Sequence, residues 1–86
     1  MPRYRVYLHI GYLPHIKDPE GETIRRELFE RAGIGAEVRA GKCIALVLEA
    51  GGPEEAGAKA LEAAKALRLG NPHVHAIEVL RVEPWS

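Results

Sequence analysis

The chain has 86 residues, of which 12 are basic and 12 are acidic, and its formal net charge is zero. A zero net charge argues against nucleic acid or an anionic membrane as a partner, and no apolar run approaches the ~18 residues of a membrane span. Because the single cysteine, Cys43, excludes an intrachain disulfide, we expect one cytoplasmic domain over residues 1–86 that gains stability as a homodimer or homotetramer.

The first predicted element is a β-strand from Tyr4 to Tyr12, where apolar and polar side chains alternate. A period of two places alternate residues on opposite faces of a sheet. One face is expected to carry Tyr4, Val6, Leu8 and Ile10, and the other Arg5, Tyr7, His9 and Gly11.

A helix is predicted to begin at Asp18-Pro19-Glu20, because Asp is a good N-cap and Pro suits the first helical position. Gly33 is the expected stop. On the solvent-exposed face of the helix, the i,i+4 spacing predicts the ion pairs Glu22–Arg26 and Glu27–Arg31. The predicted core stripe consists of Ile24, Leu28, Phe29 and Ala32.

Two further strands are predicted from Ala36 to Ala40 and from Cys43 to Ala50, joined by a tight turn at Ala40-Gly41-Lys42. A second helix should run from Pro53 to Leu69, and a last strand from Val74 to Val82. The inward positions of the second helix are expected to be Ala56, Ala60, Leu61, Ala64 and Leu67.

This order predicts an α+β protein of the ferredoxin-like βαββαβ type, with an antiparallel four-stranded sheet and two helices on one face. The other sheet face would then be uncovered, which is unusual for a small domain in water. We expect that face to mediate self-association and to carry Arg5, Tyr7, His9, Ala45 and Val47.

The sequence offers no convincing catalytic, cofactor or metal site. His73 and His75 share a face of the predicted last strand, but a His-x-His pair without a third ligand is a weak metal signal. Cys43 lies in an apolar run and is expected to be a small buried hydrophobe. The glycines before the two helices are flanked by acidic residues, which disfavours a phosphate cradle.

Several short motifs resemble those of the PurS family, the accessory subunit of phosphoribosylformylglycinamidine synthase. One is a proline followed by Asp-Pro-x-Gly at the first helix; others are Gly-Lys before the central strand and Asn-Pro before the last. The resemblance covers about Tyr4 to Glu83; the stretch His73 to Ala76 departs from the family pattern, and the first helix is unusually rich in arginine. The motif positions are Pro14, Asp18, Pro19, Gly21, Gly41, Lys42, Asn71 and Pro72.

The resemblance implies a non-catalytic bridging subunit of a ligase complex in de novo purine biosynthesis. That complex converts formylglycinamide ribonucleotide to formylglycinamidine ribonucleotide with ATP and glutamine. ATP and magnesium would bind a synthetase (PurL-type) subunit, a glutaminase (PurQ-type) subunit would release ammonia, and this chain would aid assembly and ammonia transfer. A dimeric regulatory module that senses a small molecule is the alternative for this topology.

The residue usage is also uneven, because the chain has no Gln, a single Asn at position 71 and a single Thr at position 23. Scarce thermolabile amides beside abundant Glu and Arg are typical of thermophile proteins. We therefore expect a thermophilic source.

Overall fold

The structure is a computed structural model that describes all residues 1–86. Three strands form one antiparallel sheet in the order β2-β1-β3, and two helices connect them. No helix is long and apolar enough to cross a membrane. The elements are β1 (Arg3–Tyr12), α1 (Pro19–Ile24), which continues as a π-helical segment (Arg25–Glu30), β2 (Gly41–Glu49), α2 (Pro53–Ala66) and β3 (His75–Trp85).

The predicted fourth strand is absent, so the expectation of a four-stranded ferredoxin-like sheet is wrong in this respect. Residues 34–40 have no regular secondary structure. Gly41, placed by the sequence in a tight turn, is instead the first residue of β2 and pairs with Gly11. The Ala40 amide donates to the side chain of Asp18. Because this hydrogen bond directs the segment into β2, no β-hairpin forms before β2.

The core lies between the centre of the sheet and α2. Val6 and Leu8 of β1 are fully buried, as the alternating pattern predicted. Small side chains on α2 let the helix approach the sheet closely, and these are Ala56, Ala60 and Ala64. Leu67, predicted to point inward, is 73% exposed because α2 ends at Ala66 and Leu67 has left the helical conformation.

The first helix has no substantial packing against the sheet or α2. Leu28, a predicted core residue, is 62% exposed, and Ala32 is exposed as well. The helix widens to a π-helix at Arg25, which alters the spacing of side chains on its faces. Glu22 pairs with Arg25 and not with Arg26, which corrects that prediction, whereas the Glu27–Arg31 pair forms at 3.0 Å as predicted.

The molecule is elongated and has a small core. Its radius of gyration is 15.8 Å, compared with ~12 Å expected for a compact chain of this length. Only 11 of 86 residues are buried. The chain therefore leaves much apolar surface exposed that a partner molecule could cover.

Candidate functional site

The sheet face opposite α2 carries Arg5, Tyr7, His9, Ala45 and Val47, and we call this set the open face. Strand register explains the grouping, since Arg5 lies opposite Val47 and Tyr7 lies opposite Ala45. Val47 is 42% exposed. All five residues thus share one surface that no helix of the chain covers.

Arg5 and Tyr7 organise the centre of the open face. The Arg5 guanidinium lies 5.0 Å from the centroid of the Tyr7 ring and 4.9 Å from that of Trp85. The Tyr7 hydroxyl donates to Glu83 Oε1 at 2.9 Å, and this bond, with some desolvation, raises the pKa of the Tyr7 phenol. Aromatic rings held in place by such contacts provide a rigid amphipathic surface suited to a protein interface.

Cys43 lies on the same side of the sheet, opposite His9, and it is exposed. The expectation of a buried cysteine is therefore wrong, because its position in the strand points away from α2. His9 Nδ1 is 3.8 Å from Glu78 Oε1, which is too long for a hydrogen bond. No group of three His, Cys, Asp or Glu side chains could hold a metal ion.

The motif positions collect at the other notable surface, the end of the sheet where β1 finishes and β2 and β3 begin. We call this surface the motif end. The pairing of Gly11 with Gly41 and of Tyr12 with His75 brings the three strand termini together. The residues concerned are Pro14, Asp18, Pro19, Gly21, Gly41, Lys42, Asn71 and Pro72.

Asp18 holds two distant segments of the motif end together. As predicted it is the N-cap of α1, with Oδ1 accepting from the Gly21 amide at 3.0 Å. Its other oxygen, Oδ2, accepts from the Ala40 amide at 2.5 Å. The bond from Gly21, and then that from Ala40, lower the pKa of this buried carboxyl group.

Gly21 makes the close approach of these segments possible. A Cβ at this position would lie 2.4 Å from Asp18 Oδ2 and 2.8 Å from the Val38 carbonyl oxygen. Real Cβ atoms do not come so near to backbone oxygen, so a side chain would push the 38–40 segment away. The Asp-Pro-x-Gly motif therefore fixes both the start of a helix and the path of the chain beside it.

Arg39 fixes the loop before Asp18, and sequence reasoning missed it. Its Nη2 donates to the carbonyl oxygens of Leu13, at 2.9 Å, and Ile16, at 3.1 Å, and lies 3.3 Å from that of Tyr12. No local pattern around Arg39 distinguishes it from the other arginines, because its acceptors lie more than 20 residues away. The loop consequently has a defined shape although its residues Pro14, His15 and Lys17 are exposed.

Asn71 fixes the turn that leads into β3. Its side-chain oxygen accepts from the His73 amide at 3.0 Å, and its own amide donates to His75 Nδ1 at 2.8 Å. His73 lies in this turn and not on the strand, which corrects the predicted shared face with His75. The Leu13 amide donates to the Val74 carbonyl at 2.8 Å, so the two motif loops are joined directly.

The polar motif side chains thus bind backbone groups of the chain itself. Asp18 uses both oxygens in this way and Asn71 uses its side-chain oxygen, while the backbone amide of Asn71 donates to the ring of His75. Such an arrangement shapes a rigid surface of loops. It presents no nucleophile with an adjacent base, which covalent or acid–base catalysis would need.

Comparisons with known proteins agree on one family. The family model described as "PurS: Phosphoribosylformylglycinamidine (FGAM) synthase" matches residues 5–83. The phosphoribosylformylglycinamidine synthase subunit PurS of Thermotoga maritima is 38% identical over 80 residues, covering 92% of this chain and 96% of that one.

Solved structures give the same result. The structure of Thermus thermophilus PurS has a TM-score of 0.79 and 29% identity, covering 99% of this chain and 100% of that one. PurS of Methanocaldococcus jannaschii has a TM-score of 0.79 and 30% identity, covering 96% of this chain and 99% of that one. The latter protein is described as one of the subunits of formylglycinamide ribonucleotide amidotransferase in the purine biosynthetic pathway.

Proposed function

The chain belongs to the PurS family and is a subunit of phosphoribosylformylglycinamidine synthase in purine biosynthesis; on this premise, we propose that it is a non-catalytic bridge in the complex. It joins a synthetase subunit, which binds ATP and magnesium, to a glutaminase subunit, and it aids the passage of ammonia between them. The complex works in the cytoplasm.

The observation that supports this proposal is that the polar motif residues bind groups of their own chain. Asp18 and Asn71 bind backbone amides of their own chain, and Arg39 binds backbone carbonyls. These bonds hold a loop whose exposed side chains include Lys17, and Lys42 is exposed nearby. Neither lysine takes part in an ion pair within the chain, so both are free to meet acidic groups on a partner subunit.

We also propose that the open face pairs two copies of the chain. The core is small and the shape elongated, and no helix of the chain covers this face. A homodimer interface of ~1,600 Å² in total is ordinary. Two chains joined in this way present two motif ends, which suits a protein that connects two different subunits.

Reconstitution of the complex tests the bridging role. Glutamine-dependent synthase activity is measured against the concentration of this chain, with the synthetase and glutaminase subunits held constant. Lys17→Glu and Lys42→Glu should raise the concentration needed for half-maximal activity, and the rise should be largest at low salt, because rim charges act on association and salt screens them. Lys59→Glu, a charge reversal on α2 away from the motif end, is the matched control.

The maximal rate distinguishes bridging from chemistry. Saturating amounts of either motif-end variant should restore turnover to within a few-fold of the wild type. Loss of a true acid–base group costs ~10² to 10⁴ in rate. A variant that saturates the complex normally but loses a hundredfold in turnover would refute the non-catalytic role, as would full activity in the absence of this chain.

A further inference from the structure

The C-terminal end of α2 borders a cleft of about 560 Å³, which lies beside the motif end and shares Pro72 with it. The floor of the cleft is apolar and includes Pro72 and Ile77, and its rim carries Lys65, Arg68 and His75. A second hollow of about 430 Å³ shares Arg68 and His75 and adds His73. Volumes of this size accommodate small metabolites.

All charged residues that line this cleft are basic. No Asp or Glu lines either hollow, although the chain as a whole has as many acidic as basic residues. Neither Lys65 nor Arg68 forms an ion pair, whereas Arg25, Arg31 and Arg81 all do. A cation near a helix C-terminus is favourable in itself, which accounts in part for both Lys65, in the last turn, and Arg68, just beyond it. The helix dipole does not explain why neither cation has a carboxylate partner along the cleft.

Arg68 provides an independent observation, because its backbone is in the left-handed region with φ 54°. It is the only residue other than glycine with a positive φ, and the first helix places Gly33 at the equivalent position. Glycine would adopt this conformation without strain, so an arginine there destabilises the helix end. Strain of this kind is concentrated at functional sites.

The ring of His75 is held in a definite orientation. Nδ1 accepts a hydrogen bond from the Asn71 amide at 2.8 Å. In the neutral ring the proton therefore resides on Nε2, which leaves an N–H donor that the chain does not use. The cleft thus combines two cations, one oriented ring donor and an apolar floor.

We propose that this cleft binds a small phosphorylated molecule, with the phosphate at Lys65, Arg68 and His75 and the apolar part of the ligand on the Ile77 floor. Arginine and lysine are the usual phosphate-binding side chains, and the guanidinium group forms two parallel hydrogen bonds to phosphate oxygens. The site is separate from the loops at the helix N-termini, where acidic side chains oppose an anion.

Titration of the full-length protein with AMP tests the proposal, with the amide resonances of residues 65–77 followed by NMR. Saturable binding with a Kd of about 1 mM or tighter is expected, and adenosine, which lacks the phosphate, should bind at least about tenfold more weakly. Equal affinity for AMP and adenosine, or no saturable shifts in this segment, would overturn the proposal.

Two variants locate the binding to the cleft. Arg68→Gly and Lys65→Gln should each weaken AMP binding about tenfold or more, whereas Lys59→Gln on the same helix should not. Arg68→Gly is particularly informative because it should also raise the melting temperature by relieving the backbone strain. Unchanged AMP affinity in both cleft variants would refute the site. Weaker assembly with the partner subunits but no AMP binding would identify the cleft as a protein contact and contradict the proposal.

Discussion

Replacement of Asp18 by Ala should destabilise the protein well beyond the loss of an ordinary helix cap. A cap at an N-terminus contributes ~1 kcal/mol. Asp18 also accepts a charge-assisted bond from the Ala40 amide, and hydrogen bonds to charged groups contribute ~1.5 to 3 kcal/mol. Because Ala40 is half-buried and water can partly replace its partner, we expect a total loss of about 2 to 3 kcal/mol.

Urea denaturation of the wild type, Asp18→Ala and Asp18→Asn at one fixed protein concentration measures this loss. Concentration must be fixed because self-association changes apparent stability. Asn keeps one carbonyl oxygen, which serves either the Gly21 or the Ala40 amide but not both, so its stability should lie between the other two. Equal stability of the alanine variant and the wild type would refute the proposed tie between the two segments.

The dependence on pH gives a second check. Bonds from Gly21 and Ala40 lower the pKa of Asp18 in the folded state, so the carboxylate is the form that stabilises the fold. This contribution is fully present above the unfolded pKa of ~3.9 and is lost as the pH falls through the lower, folded value. The stability gap between wild type and Asp18→Ala should therefore be full at neutral pH and close in that acidic window. A gap independent of pH would contradict the assignment.

Three other outcomes are expected from the geometry. Gly21→Ala should lower the free energy of unfolding by about 1 to 3 kcal/mol through overpacking against Val38 and Asp18, despite the better helix propensity of Ala. Gly35→Ala, at a position that faces open space, should be nearly neutral in the same denaturation assay. Val47→Asp should shift the protein toward a 9.5 kDa monomer in sedimentation, and Leu67→Asp, at an exposed apolar position away from the open face, should not. Cys43→Ala should leave turnover of the reconstituted complex within a few-fold, and a loss of a hundredfold at saturation would show that the thiol takes part in the reaction.

Local sequence patterns were sufficient for much of the fold. The alternation from Tyr4 to Tyr12 correctly predicted β1 and the burial of Val6 and Leu8. Asp18 was recognised as a cap because its partner, Gly21, is only three residues away. The start of α2 at Pro53 followed from the same helix-start rules. These features depend on neighbours in the chain, which periodicity and capping preferences describe well.

The family was also recognisable from sequence, since the motif positions occur in a fixed order along almost the whole chain and the family match extends over residues 5–83. The sequence indicated that these positions are characteristic of the family. It did not indicate that they meet at one end of the sheet, because that depends on the pairing of strands far apart in the chain, such as Gly11 with Gly41.

Only the tertiary structure decided the path of residues 34–40, the role of Arg39 and the exposure of Leu28. The predicted strand from Ala36 to Ala40 fails because a bond to Asp18, 22 residues earlier, directs this segment into β2. Arg39 resembles any other surface arginine until its carbonyl partners are brought to it by the fold. Leu28 has a core-like position on a helical stripe, but the helix has no substantial packing against the sheet or α2. Each case depends on which distant groups come together, and local preferences of the backbone carry no information about that.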